Sequence, residues 1–214
     1  MQEQDDRNPW LSISASDYEA HMGPNGTRQL ELLSKTFRDL LEAHRPKRIA
    51  VLGCATGNGF EHVDPEWVEL LVGIDIHPEF LEVAKSRFED KIPCLQLFCS
   101  AMRHIELEPR TIDLIFCGLF FEHVAPKLVI AKMFRWLKPG GVFGTVLQLP
   151  DSTERTVSDT GVESVKVLEP VSTLIDPDKL RDYAESAGFE LEDARTVTLN
   201  TGKRFYVVTY RLND

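Results

Sequence analysis

Between Arg48 and Leu149 five short apolar runs alternate with stretches of helical periodicity, and this alternation limits the chain to very few folds. The runs are KRIAVLGC, ELLVGIDI, CLQLFC, TIDLIFCG and VFGTVLQL. Each is short and largely apolar, as in strands buried on both faces. A helix is expected after Thr27, read as its N-cap, with Leu30, Leu33, Phe37, Leu40 and Leu41 on one face and Arg45-Pro46 as its end. Another is expected after Gly57. His77-Pro78 opens a third, with Leu81, Ala84 and Phe88 in line. Ile130, Met133, Phe134 and Leu137 mark a fourth, which stops at Lys138-Pro139-Gly140-Gly141. Strand and helix in strict alternation require parallel strands joined by helical crossovers.

After residue 149 the pattern changes. The stretch PDSTERTVSDTGVESVKVLEPVST is polar and aperiodic, and reads as a long loop of the kind that often serves function. A last helix follows, capped by Asp176 and carrying Leu180, Tyr183, Ala184 and Ala187, with Gly188 at its left-handed end. FELEDARTVTL and KRFYVVTYRL lie too close, across Asn200-Thr201-Gly202, for a crossover, so they form a hairpin. The fold class is α/β: a single doubly wound, Rossmann-like domain with a seven-stranded, mostly parallel sheet, an antiparallel C-terminal hairpin and helices on both faces. Residues 1–25 read as a separate polar N-terminal segment, 26–214 as the folded domain, and 150–175 as an insertion over the sheet.

The 214 residues are 43% hydrophobic and 27% charged, as for one globular domain. A net charge of −10, with no densely basic helix, argues against a nucleic-acid partner. The polar, acidic start is unlike a secretory signal, and no apolar run reaches the roughly 20 residues that span a bilayer. Cys54, Cys94, Cys99 and Cys117 form no CxxC pair and read as buried reduced thiols, so neither disulfide nor metal is expected, and the cytoplasm is the expected location.

Ligands of such sheets lie at the carboxyl ends of the strands. Gly53, Gly57 and Gly59 occupy that place after the first strand, but Ala55 and Asn58 stand where a dinucleotide fingerprint needs glycine, and no Lys follows Gly59 as a phosphate loop requires. The expected ligand therefore approaches closely and carries no pyrophosphate. Asp75 ends the second strand, 22 positions beyond Gly53, where an acid accepts hydrogen bonds from two ribose hydroxyls; it is also placed to serve the N-terminus of the following helix. Ile76 is placed to cover a flat base.

VLGCATGNG resembles motif I of class I S-adenosylmethionine (SAM) dependent methyltransferases. LVGIDIHPEFLEVAKSRF resembles their second motif, TIDLIFCGLFFEHV the fourth-strand motif, and RWLKPGGVFGTVL the segment entering strand five. The similarity, of the type 11/12 kind, covers about residues 26–149 with the final helix and hairpin. It implies SAM as cofactor and S-adenosyl-L-homocysteine as product. Gly53, Ala55 and Gly57 would face the methionine part and ribose, and Asp75 would hold the ribose hydroxyls. Ile76 and Met102 would sandwich the adenine, with Ser100 and Ala101 at its edge. The Cys117 carbonyl would meet the ligand ammonium, and Leu119 and Phe120 would lie toward the methyl. Ala55 departs from the usual middle glycine, and Ser100 from a frequent Asp.

Methyl transfer from a sulfonium needs positioning more than acid–base help, so the acceptor is hard to name from sequence. His123, after strand four, is a candidate general base. The resemblance implies that residues 1–25 form an N-terminal lid over a SAM-binding methyltransferase domain, 26–214, with 150–175 on the substrate side; Tyr18 and His21 are then candidate lid contacts to cofactor or substrate, while Glu122 reads as solvated or capping. Strand four ends FCGLFF, without the NPPY-type tetrapeptide of amino-group methylases, and no Pro-Cys pair marks a cytosine nucleophile. The expected acceptor is a small molecule, methylated by in-line displacement, and oligomeric state is left open. The alternative is a non-catalytic, regulatory SAM- or nucleoside-binding protein; a nicotinamide oxidoreductase is disfavoured by the missing G-x-G-x-x-G.

Overall fold

The computed structural model of the chain describes residues 8–150 and 156–213. The first seven residues of the expected lid and residues 151–155 of the expected insertion lie outside it.

One sheet organises the described residues. Its strands are β1 (Arg48–Leu52), β2 (Leu70–Asp75), β3 (Leu95–Cys99), β4 (Ile112–Gly118), β5 (Leu137–Gln148), β6 (Phe189–Thr198) and β7 (Arg204–Leu212). They lie in the order β3-β2-β1-β4-β5-β7-β6. The pairs from β3 to β5 are parallel. β7 runs antiparallel to both β5 and β6, which is the hairpin read from the sequence. The order turns between β1 and β4, and at that point the two strand ends diverge and leave room for a ligand.

Side-chain alternation builds two cores from the same strands. In β1, Ile49 and Val51 enter one apolar cluster, while Ala50 and Leu52 enter the other. Helices α1 (Ala15–Met22), α2 (Gln29–His44) and α3 (Pro78–Phe88) contribute to the first cluster, through residues such as Tyr18, Phe37 and Phe80. Helices α4 (Pro126–Trp136) and α5 (Pro177–Ser186) cover the opposite face, through Met133, Trp136 and Leu180. A strand covered on both faces has no room for polar side chains, which explains the unbroken apolar runs.

Several local expectations change. No α-helix follows Gly57; a single 3-10 turn, Phe60–His62, stands there. Gly57 and Gly59 are both left-handed (φ +82° and +92°), and Pro65 interrupts the remainder, so NGFEHVDPEW cannot close successive helical hydrogen bonds. Thr27 does not cap α2: the cap position is Arg28, in left-handed conformation, and the Thr27 hydroxyl is buried without a partner among the described residues. Phe134 lies exposed, because α4 ends at Trp136 and that residue, not Leu137, completes its buried stripe. Of the cysteines, Cys54 and Cys117 are buried, Cys94 is half-buried and Cys99 is exposed on the edge strand β3; all four are free. Asp176 caps α5 as expected, accepting the Asp178 N–H at 2.9 Å.

Helix α2 rests close against β5 because position 144 is glycine. A Cβ there would sit 2.4 Å from Cδ1 of Leu40, well inside contact distance. Gly144→Ala is therefore expected to destabilise the fold by about 1–3 kcal/mol, the usual effect of overpacking a dense core. Urea denaturation reads this directly, and an unchanged midpoint would show that the helix does not press on β5.

Candidate active site at the carboxyl edge of the sheet

A cavity of about 460 Å³ opens at the carboxyl ends of β1, β2 and β4, within the range that encloses a small organic ligand. Gly53, Ala55, Asp75, Ile76, Ser100, Ala101, Met102 and Leu119 line it, as do Tyr18, His21, Phe120 and His123. Residues from four separate loops thus meet where the sheet topology directs them.

Two of the expected residues are placed elsewhere. Cys117 is fully buried and does not line the cavity; its carbonyl accepts the Thr145 hydroxyl at 2.6 Å. Its neighbours Gly118 and Leu119 line the cavity in its stead. Gly57 faces a second, smaller hollow beside Arg87 and Phe88. A Cβ at Gly57 would meet the Phe88 ring at 2.9 Å, so that glycine serves packing.

The turn after β1 is held by Asp75. One carboxylate oxygen accepts the Ala55 N–H and the other accepts the His77 N–H, each at 2.9 Å. The acid therefore does serve the start of α3, as its second reading had it, while remaining at the cavity wall. Burial raises its pKa, and the two backbone N–H bonds oppose that rise. Each oxygen retains a lone pair for a further donor, and two vicinal hydroxyls are such donors. Ile76 and Met102 supply apolar walls beside it. No helix points its N-terminus out of the turn after β1, so the positive pole that favours a pyrophosphate is missing there.

Ala55 (φ +45°) and Leu119 (φ +53°) are both left-handed, a conformation costly for side chains with a Cβ. Both line the cavity, and strain retained at such places is a mark of a working site.

The segment before α2 contributes Trp10, Tyr18 and His21 to the cavity wall. Tyr18 packs on Phe80 with ring centroids 5.0 Å apart, and Trp10 stands edge-on to His123, also at 5.0 Å. Helix α1 is fastened on both sides. On one, Glu19 accepts the Thr56 hydroxyl at 2.7 Å and Arg87 Nη2 at 3.0 Å, and Glu79 accepts the Ala15 N–H at 2.9 Å. On the other, Asp17 accepts the Ser164 hydroxyl at 2.6 Å, and His21 Nδ1 pairs with the Thr160 hydroxyl at 2.7 Å. Burial, then the nearby charge of Asp75, pushes the Tyr18 hydroxyl far above its ordinary range, so it stays protonated. Burial pulls His21 and His123 down to about 4, so both imidazoles are neutral at physiological pH.

Sequence reading missed Glu122. It is only 6% exposed, lines the cavity, and is pushed up by burial to about 7. Its one signal was an acid embedded in the apolar run LFFEHV. In the folded chain Glu122 keeps a proton that an unfolded chain, with the ordinary value of 4.5, releases. Its contribution to stability thus falls as pH rises from about 4.5 to about 7. His21 and His123 act in the opposite sense, adding stability from about pH 4 to about 6.5. Glu122→Gln removes only the falling contribution. Relative to wild type, the variant is expected to gain about 1–3 kcal/mol between pH 5 and 7.5. Urea unfolding of both proteins at the two pH values measures this; a difference independent of pH would refute it.

Comparison with known proteins agrees with this geometry. Residues 51–145 match the family described as a methyltransferase domain. A methyltransferase-like protein of Schizosaccharomyces pombe is 28% identical over 105 residues, 49% of this chain and 40% of its own. The chain spans less than half the length of the curated relatives it matches. Among solved structures, Haemonchus contortus phosphoethanolamine N-methyltransferase 2 in complex with SAM superposes with TM-score 0.67 at 16% identity, over 98% of this chain and 59% of that one. The [4+2]-cyclase SpnF superposes with TM-score 0.67 at 15% identity, over 84% and 81%. At such identities these two structures speak for the fold alone. The match across residues 51–145, carried on this sheet order, makes that part of the chain similar to a methyltransferase domain and supports the resemblance to class I SAM-dependent methyltransferases.

Proposed function

We propose that the chain is a SAM-dependent methyltransferase that methylates a small-molecule acceptor by in-line displacement and releases S-adenosyl-L-homocysteine. The observation that carries this reading is the continuity of one cavity from Asp75 to His123, beneath α1. On this reading the nucleoside lies at the Asp75 end and the acceptor toward His123.

When bound, SAM supplies an activated methyl on a sulfonium. The chain's own part is positional. Asp75 holds the ribose hydroxyls, Ile76 and Met102 flank the adenine, and Ser100 and Ala101 border it. Gly53 and Ala55 bring backbone close to the methionine part, and Leu119 and Phe120 turn the chain toward the methyl. The ring of Phe120 lies over Gly53, where a Cβ would come within 2.7 Å of it, so no larger residue fits beneath. Tyr18 and His21 belong to the lid, residues 8–25, and His123 stands on the acceptor side. The remainder forms the SAM-binding domain, with 156–175 shaping the acceptor side.

No helix among the described residues is long and apolar enough to cross a membrane. The cytoplasm is our proposed location, in keeping with four free thiols. The partner is a small molecule, with neither nucleic acid nor membrane, and no resident metal is part of the proposal.

Asp75→Ala is expected to weaken SAM binding about 10- to 100-fold, the loss of charge-assisted hydrogen bonds to two hydroxyls. Isothermal calorimetry measures it, and an unaltered Kd would reject the site. Incubation with methyl-labelled SAM and a metabolite library should label at least one compound. Tight SAM binding with no labelled product would instead favour a regulatory binding protein.

A further inference from the structure

Glu122 holds an unused oxygen inside the cavity wall. The 3-10 turn Phe121–His123 follows β4 and buries both Phe121 and Glu122. Oε1 of Glu122 accepts the Gln148 N–H at 2.9 Å, and its backbone carbonyl accepts the Thr173 N–H at 3.0 Å. Oε2 is buried and has no hydrogen-bond partner among the described residues. An unsatisfied buried polar group costs about 1–3 kcal/mol, a cost that a bound donor removes. Much of the wall is apolar, with Trp10, Phe120, Val124, Leu128, Leu168 and Leu174, and Gln148 and Ser172 also line it. The other titratable groups lining it are Tyr18, His21, Cys54, Asp75, Arg103 and His123, and buried Cys117 senses the Glu122 charge.

We propose that Glu122 is the acceptor-binding and proton-accepting residue, and that the acceptor is an uncharged, largely apolar molecule methylated at a hydroxyl oxygen. The proposal rests on the methyl-transfer reading above. The acceptor oxygen forms the new O–C bond as the S–C bond breaks, leaving that electron pair on sulfur as a neutral thioether. The O–H bond breaks with its electrons staying on oxygen, and the proton passes to Oε2 of Glu122, then to solvent when product leaves. No further reactant is needed. A group poised near neutrality is the better proton acceptor here, since a general base is most effective with its pKa close to the working pH. Glu122, at about 7, meets that condition, and His123, at about 4, does not. An ammonium acceptor would instead keep the carboxylate ionised and offer no lone pair to the methyl.

The test uses 2-naphthol and 2-methoxynaphthalene, a pair differing only at the O–H, titrated by fluorescence into the full chain saturated with S-adenosyl-L-homocysteine at pH 8. Wild type is expected to bind 2-naphthol about 10- to 100-fold more tightly than the methyl ether, as for a hydrogen bond to a charged group. Glu122→Gln should bring the ratio close to one. Its amide oxygen takes over the Gln148 N–H, and the amide nitrogen then offers only donors. Affinity for S-adenosyl-L-homocysteine should not change. A variant that fails to fold is replaced by a wild-type pH series, in which the ratio should rise with a midpoint near 7. Equal binding of the two probes to wild type, no binding of either, a preference that survives in the variant, or stronger binding of 2-naphthylamine than of 2-naphthol would each overturn the proposal. Failure of the chain to bind S-adenosyl-L-homocysteine would overturn the methyl-transfer reading instead.

Discussion

Burial of β1 on both faces is the constraint from which the other features follow. Ile49 and Val51 commit one side of the strand to the core shared with α2 and α3, and Ala50 and Leu52 commit the other to the core shared with α4. Neither face can then carry a ligand. Only the strand ends remain, and the reversal of strand order between β1 and β4 parts their loops at the carboxyl edge. The glycine turn, Asp75 and the end of β4 meet there because the sheet leaves them nowhere else to meet.

Much of this was legible in the chain. Unbroken apolar runs identified strands covered on both sides, and the short span across Asn200-Thr201-Gly202 identified the hairpin. These signals are local and repeated, so each element supports the others. The absent helix after Gly57 was less legible, because two left-handed glycines and a proline act through backbone angles that periodicity does not register. Thr27 looked like a cap by residue type, but the chain turns at Arg28. Cys99 looked buried by its neighbours, but β3 is an edge strand and strand order is a property of the whole sheet.

The site divides in the same way. The acid at the end of β2 follows from its place in the chain, whereas Gly57 and Cys117 were assigned by pattern and turn out to face other neighbours. Glu122 shows the converse. As a letter it is a charged residue beside a histidine; in the fold, Gln148 from β5 and Thr173 from the insertion approach it from distant parts of the sequence. A carboxyl group changes character with such an environment, and no local window contains it.

Helix α1 touches both halves of the cavity. Glu19 ties it to Thr56 and Arg87 beside the glycine turn, while Asp17 and His21 tie it to Ser164 and Thr160. One eight-residue element is therefore bonded to both walls of the cavity. On the proposed reading of α1 as part of a lid, a single opening would serve cofactor and acceptor alike, and its frequency would bound how often the cavity exchanges its contents.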